Sequence, residues 1–329
     1  YQGKAWYRRT VTIPAEWAGR RIWLHLGGTT NTAEVYVNGT KAGAVEGFVT
    51  PYEFDITEWA RPGAEGVIAC RVDSTGPAPI GTFNFAGRWG GLYRGVYLEA
   101  RSDPAIDDLF VMPDVAGRTA RVRVVLRRAK ADGPWQGDLA VRVRPAAGGG
   151  AEFQGRGQVR FAADKPQSDP ATIEVKLDPM RPWSPEDPFL YTVEVTLAAG
   201  GRTLDTVCDR FGMRQITVGK GGVLLLNGRP YFIRGLGDDT VEVLTGTQHP
   251  DKKIYVDRLA MAKRYGFNGI RLLGNTPIKE YFEAADEVGM LILCDGGIYH
   301  KPKEGIPLLK KQVARIAKGY RNHPSWYAF

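Results

Sequence analysis

Cysteine is scarce in this sequence. There are three in 329 residues, Cys70, Cys208 and Cys294, far apart and without a C-x-x-C pair. A zinc or redox motif therefore has no support. Each thiol sits in an apolar run ("VIACRV", "TVCDRF", "LILCDG"), so all three read as buried free cysteines. Long apolar runs are also missing: none reaches the ~18 residues that cross a bilayer, which leaves no membrane partner for a helix. No signal peptide is visible, but the sequence opens on Tyr1 in a strand-like pattern ("AWYRRTVTI"), so this absence excludes nothing. No G-x-G-x-x-G follows an apolar run, which speaks against a dinucleotide site. "GKGGVLLLNG" lacks the Lys-Ser/Thr ending and the following helix of a phosphate loop, and reads as a turn and hairpin.

Acidic residues are in deficit. Lys and Arg number 44 against 36 Asp and Glu, a net charge of +8 and a pI near 9.3. A basic balance raises the question of a nucleic-acid partner. The densest basic run, "RTARVRVVLRR" (118–128), answers it: Arg121 and Arg123 alternate with Val122 and Val124, the period of a strand with one wet face. No nucleic-acid partner is expected.

What the sequence does have is glycine (41) and proline (21), the punctuation of many short strands. Its length fits two or three domains at ~100–200 residues each. Residues 1–100 read as all-β. "VYVNGTKAG" is a hairpin signal, because Asn38-Gly39 tolerates the positive φ angles of a type I′ turn. The same residues make a glycosylation sequon, Asn38-Gly39-Thr40, but the turn accounts for them fully. Trp6, Trp17, Trp23 and Trp59 read as core or staple residues. Residues 101–217 form a second β segment whose short strands suggest an immunoglobulin-like sandwich, with "DPMRPWSPEDPFLYTV" as an extended corner.

After Val218 the character changes. "RPYFIRGLG", "FNGIRLLG", "MLILCDGG" and "SWYAF" read as apolar strands. They alternate with the helical patterns "DKKIYVDRLAMAKRYG", "PIKEYFEAADEVG" and "IPLLKKQVARIAKGY". In the first helix Ile254, Val256, Leu259, Met261 and Ala262 form the apolar set. Continuous apolar strands fit a parallel sheet buried on both faces. Four strands and three helices over residues 218–329 read as the first half of a (β/α)8 barrel, with an open doubly wound sheet as the rival.

Two β domains ahead of a barrel is an unusual order. The chain resembles glycoside hydrolase family 2, the family of β-galactosidases, β-glucuronidases and β-mannosidases. "WYRRTVTIPAEWAGRRIWLHLGGTTNTAEVYVNGTKAGAVEGFVTPYEFDIT" and "WGGLYRGVYLEA" are similar to its jelly-roll sugar-binding domain. "PWSPEDPFLYTVEVTL" and "DRFGMRQITV" are similar to the close of its immunoglobulin-like domain, and "LLLNGRPYFIRGLG", "YGFNGIRLL", "YFEAADEVGMLILCD" and "RNHPSWYAF" to the opening of its barrel. The resemblance implies a retaining exo-glycosidase acting on β-linked oligosaccharides, with an oligosaccharide or glycoside substrate, no cofactor, and no metal that can be placed. It also implies an acid/base glutamate in an Asn-Glu pair just after strand four and a nucleophile at the end of strand seven. "SWYAF" is strand four, so neither catalytic carboxylate falls within these residues, and the chain by itself is expected to be inactive. Glu280, Glu283 and Glu287 lie on a helix outside the barrel and cannot replace them.

Active sites of such barrels lie at the carboxyl ends of the strands. Asp238 and Asp239 follow strand one, Arg271 and Asn275 lie at and after the end of strand two, and Asp295, Tyr299 and His300 end or follow strand three. Asp238, Asp239, Arg271, Asn275, Asp295 and His300 are the expected sugar contacts, against a structural reading in which Arg271 pairs with Asp295 and Asp238 caps a loop. The loops "GDDTVEVLTGTQHP" and "LGNTP" depart from the N-x-H or H-E-D-H and the S-H-Y-P patterns of the better-known members, so the resemblance supports no galactose- or glucuronate-specific assignment and points to a divergent branch acting on polysaccharide-derived oligosaccharides. The runner-up is a non-catalytic carbohydrate-binding or scaffold protein, for which Trp89 and Tyr93 of "GRWGGLYRG" are aromatic candidates, with a domain-interface role set against it. A periplasmic or secreted location is favoured over a cytoplasmic one, and oligomerisation stays open.

Overall fold

The computed structural model describes residues 3–29, 32–47, 50–75, 90–238, 248–272, 276–294 and 306–328. The first layer pair is built from β1 (Lys4–Thr12), β2 (Arg21–Leu26), β3 (Thr32–Val37), β4 (Thr40–Glu46), β5 (Tyr52–Asp55), β6 (Glu65–Asp73) and β7 (Val96–Arg101). They pair as the sheets β1-β6-β3-β4 and β5-β2-β7. The period of two decides which side chains meet between them: Ala33, Val35 and Val37 face Ile22, Leu24 and Leu26 in one buried cluster. Asn38 (φ 50°) and Gly39 (φ 84°) are both left-handed, as the type I′ turn between β3 and β4 requires. The Asn38 amide donates to the Trp59 carbonyl (3.0 Å) and accepts from the Val67 N–H (2.8 Å), so the sequon asparagine is engaged within the fold.

Trp17 and Trp59 pack against this core. Trp6 does not. It is 59% exposed on β1, an edge strand that pairs only with β6, and its ring lies 5.4 Å from that of Tyr36. Trp23 serves as a staple between domains, with the Arg127 guanidinium 4.0 Å above its ring while Arg127 also pairs with Glu53 (3.0 Å). Beside it, the Glu99 pKa is held down to about 2 by the buried His25, whose Nε2 lies 2.8 Å from the carboxylate, and then by Arg101.

The second layer pair comprises β8 (Ala105–Asp114), β9 (Thr119–Arg127), β10 (Trp135–Pro145), β11 (Phe153–Phe161), β12 (Ala171–Lys176), β13 (Tyr191–Ala199) and β14 (Arg202–Phe211). Its sheets are β12-β9-β8 and β11-β10-β13-β14. Val122, Val124 and Leu126 meet Val141, Val143, Val193 and Val195 between them. Arg121 points to solvent and Arg123 lies 3.6 Å from Asp108, as the alternation of the basic run predicts. Cys70 and Cys294 are buried, but Cys208 is exposed. It falls on the outward face of β14, with its Sγ 3.8 Å from Glu194, so its apolar neighbours in sequence are not its neighbours in space.

A small sheet of β15 (Ile216–Val218), β16 (Leu224–Leu226) and β17 (Arg229–Pro230) follows. Then come β18 (Gly235–Asp238), α1 (Lys252–Arg264), β19 (Gly269–Leu272), α2 (Lys279–Val288), β20 (Leu291–Cys294), α3 (Ile306–Tyr320) and β21 (Trp326–Ala328). The four strands are parallel and lie in chain order. Tyr255 and Leu259 of α1, Tyr281 and Phe282 of α2, and Ile316 and Tyr320 of α3 share one cluster with Ile270, Leu272, Ile292 and Cys294. The three helices therefore cover one face. An open doubly wound sheet would carry helices on both. Two expectations need correction. The first strand takes only the end of "RPYFIRGLG", starting at Gly235, and Gly235, Leu236 and Gly237 are exposed rather than buried, β18 having β19 as its one partner strand among the described residues. In α1 it is Tyr255, Leu259 and Ala262 that are buried, while Met261 is 52% exposed. Among the described residues no helix is long and apolar enough to cross a membrane.

Polar side chains dock this α/β unit on the second sandwich. Trp183 is fully buried, and its Nε1 donates to the Asp286 carbonyl (3.0 Å). The Asp286 carboxylate takes the Ser325 N–H (3.0 Å) and lies 2.6 Å from His323 Nδ1. Asn322 accepts from the Val111 N–H (2.9 Å) and donates to the Leu109 carbonyl (2.9 Å) and Asp209 (2.7 Å). Arg321 pairs with Asp108. The stretch "RNHPS" is thus an interdomain lock. Gly289 completes it: φ is 79°, and a Cβ there would lie 2.4 Å from the Pro185 carbonyl oxygen.

Candidate functional site: the carboxyl end of the parallel sheet

Strand register sorts the side chains at this face. Gly237, Arg271 and Leu293 lie in one cross-strand row, and Gly235, Gly269 and Leu291 in the row below it. Both rows belong to the face opposite the helices. The lower end of that face is filled: Leu291 packs with Trp183, Leu190, Tyr231, Ile233 and Tyr327. Gly269 is required there, because a Cβ would lie 2.7 Å from Ile233. The upper row is open. Arg271 is exposed, and a Cβ on Gly237 would meet nothing within 4 Å. A guanidinium carries a planar fork of donors, geometry suited to hydroxyl and carboxylate oxygens.

Asp238 turns the other way. It shares its row with Leu272 and Cys294, on the helix side. Its Oδ2 accepts from the Tyr281 hydroxyl (2.9 Å) and lies 3.6 Å from Arg258 of α1. Burial, reinforced by that carboxylate, pushes the Tyr281 phenol well above its ordinary value, so it stays protonated and donates. Asp238 thereby ties the end of β18 to α1 and α2, and it does not share a face with Arg271. Sequence spacing could not show this, since a strand end next to a loop leaves the facing of its last residue open. Asp239, Asn275, Asp295, Tyr299, His300 and Trp89 lie outside the described residues.

The glutamates of α2 face away from the open row. Glu287 lies 2.6 Å from Arg210 and 2.8 Å from Lys252. Burial would raise its pKa, but bonds from Lys252 and Arg210 win and hold it below the usual range. Glu283 lies 3.7 Å from Arg210 and 3.4 Å from Lys279. These are docking residues. Among the described residues no group of three or more His, Cys, Asp or Glu is arranged to hold a metal ion.

Sequence reasoning missed the contribution of the first domain. Tyr93 packs against the helix–sheet core, and Arg94 donates to the Thr276 carbonyl (3.2 Å) and to Gln248 (3.4 Å). The domain-interface role weighed for "GRWGGLYRG" holds for Tyr93. Arg94 carried no separate signal.

Two β-sandwiches docked against a parallel sheet covered on one face by helices define a modular architecture with its open site at the strand ends. Comparison with known proteins identifies it. The profile of glycosyl hydrolases family 2, sugar binding domain, matches residues 1–101, and that of glycosyl hydrolases family 2 matches residues 105–214. The chain belongs to glycosyl hydrolases family 2. It is 27% identical over 332 residues to a β-galactosidase of Thermoanaerobacter pseudethanolicus, covering 98% of this chain and 44% of that protein. It is 26% identical over 313 residues to a β-glucuronidase of Paenibacillus borealis, covering 88% of this chain and 49% of that protein. Among solved structures, Bacteroides uniformis β-glucuronidase superimposes with a TM-score of 0.84 at 25% identity, over 100% of this chain and 41% of that one. The chain spans less than half the length of these relatives.

Proposed function

We propose that these residues are the N-terminal part of a retaining exo-glycosidase that hydrolyses β-linked glycosides, and that β18 to β21 are the first four strands of a (β/α)8 barrel. The observation that carries this reading is the sheet itself: parallel strands in chain order, the described helices on one face, and on the other an open row with Arg271 at its middle. In the complete protein, two carboxylates about 5–5.5 Å apart flank the glycosidic bond, one protonating the leaving oxygen and the other attacking the anomeric carbon. The present residues supply the two sandwiches and one wall of the mouth. Arg271 contacts the sugar, joined by Asp239, Asn275, Asp295 and His300 from the ends and loops of the strands, while Asp238 positions the end of β18. The substrate is an oligosaccharide or glycoside. The relatives named β-galactosidase and β-glucuronidase make these two sugars the first to try.

The complete protein is expected to release p-nitrophenol from a p-nitrophenyl β-galactoside or β-glucuronide. Arg271→Ala is expected to lower kcat/KM by about 10–100-fold, since charged hydrogen bonds are worth roughly 1.5–3 kcal/mol. Steady-state kinetics check this, and a variant matching the parent on every cleaved glycoside contradicts the placement of the mouth.

One observation favours a second reading, a carbohydrate-binding role for the first domain. Trp6 and Tyr36 sit together on an outer sheet face beside Arg71 and Glu34, which pair at 2.7 Å. An exposed ring such as Trp6, backed by the half-buried Tyr36 and flanked by fixed polar groups, can stack on a sugar face.

A further inference from the structure

The loop of the first domain that carries Arg94 reaches into the α/β unit at a particular place. Gln248 leads into α1, and Thr276 leads into α2. These segments enter the helices from the carboxyl ends of β18 and β19, the strands that contribute Gly237 and Arg271 to the open row. Arg94 Nη2 lies 3.2 Å from the Thr276 carbonyl and 3.4 Å from Gln248 Oε1. Gln248 closes the circuit. Its Nε2 donates to the same Thr276 carbonyl (3.2 Å), and its Oε1 accepts the Ile278 N–H (2.7 Å). Gln248 is 7% exposed and Thr276 1% exposed.

The loop that delivers Arg94 is itself held closely. Tyr93 N–H donates to the Gly28 carbonyl (3.3 Å), and a Cβ on Gly28 would lie 2.8 Å from the Tyr93 ring. A Cβ on Gly91 would lie 2.1 Å from the Tyr7 hydroxyl. Glycine at these positions lets the two stretches approach, and the close approach fixes where the guanidinium emerges.

We propose that Arg94 is a positioning residue for the sugar-binding mouth: one guanidinium from the first domain sets the spacing between the segments that follow β18 and β19. This rests on the glycosidase reading for what the mouth does, but the linkage stands on the contacts alone. A guanidinium suits the task because one Nη2 bears both contacts and its N–H directions are fixed in a plane, whereas a lysine ammonium turns on a flexible stem. The effect falls on substrate fit, because Arg94 bonds the segments that lead into α1 and α2. In the terms of catalysis, misplaced segments cost binding shared by ground and transition states, which appears in KM.

The test has two arms. In the 329-residue chain, Arg94→Met is expected to speed hydrogen exchange at the Ile278 amide by about tenfold or more, with the amides of β3 and β9 unchanged. Arg94→Lys restores part of the protection. In the complete protein, Arg94→Met is expected to raise KM for a p-nitrophenyl β-glycoside by about tenfold with kcat within about twofold. Unchanged exchange at Ile278 overturns the linkage. Altered exchange with unchanged KM in an active parent overturns the positioning role. A parent that cleaves no aryl β-glycoside overturns the glycosidase reading and the role at the mouth with it, and exchange at Ile278 still reports the linkage separately.

Discussion

Asp286→Ala is expected to loosen the α/β unit by about 3–5 kcal/mol, the cost of removing one partner from a buried charge-assisted pair. Asp286 is 1% exposed and serves three groups at once: His323 Nδ1 at 2.6 Å, the Ser325 N–H at 3.0 Å and, through its carbonyl, Trp183 Nε1 at 3.0 Å. Alanine keeps the carbonyl but strands the imidazole and the Ser325 N–H in a site closed to water. Ser325 in turn holds β20, since the Ile292 N–H donates to its carbonyl (2.7 Å). The loss spreads into the sheet and amounts to a large share of a typical net stability of about 5–15 kcal/mol. Hydrogen exchange at Ile292 is the readout, and at 1.4 kcal/mol per decade it should quicken by about 100-fold or more. An effect below about fivefold would mean that the lock is incidental to holding the sheet.

A second large effect concerns activity. The 329-residue chain alone is expected to leave p-nitrophenyl β-galactoside and β-glucuronide intact at the rate of a buffer blank. Glycoside hydrolysis with retention requires an acid/base and a nucleophile facing each other across the substrate. Among the described residues, the open face of the sheet carries Gly237, Arg271 and Leu293 over Gly235, Gly269 and Leu291, and no carboxylate. Asp238 is turned to the helices, and Glu283 and Glu287 are paired with Arg210 on the docking side. A face without both groups offers neither the covalent route nor its proton transfer. Turnover that survives repeated purification of this chain would show a carboxylate pair that the open face does not display.

Much of the fold was legible because its signals are local. Asn38-Gly39 announces its turn by the φ angles it tolerates, and Val122 and Val124 announce their strand by period. α2 announces itself with an acidic first turn and Gly289 just past its end. What escaped depends on partners far away in sequence. "RNHPS" reads as a helix end, yet Asn322 binds Leu109, Val111 and Asp209. Trp183 reads as a corner residue and proves to be a buried link to Asp286. Cys208 and Trp6 sit in apolar surroundings along the chain but on outward faces in space. At the candidate site, the strand ends were legible from the β/α alternation. Which way Asp238 turns was not, and neither was the reach of Arg94, because both are set by register and by contact between domains.

The most direct test of the central claim is the anomer released first by the complete protein, followed by proton NMR within the first turnovers on an aryl β-glycoside. From a β-glycoside a retaining enzyme releases the β-anomer, which then mutarotates. Release of the α-anomer first, or no hydrolysis of any β-glycoside, would contradict the account.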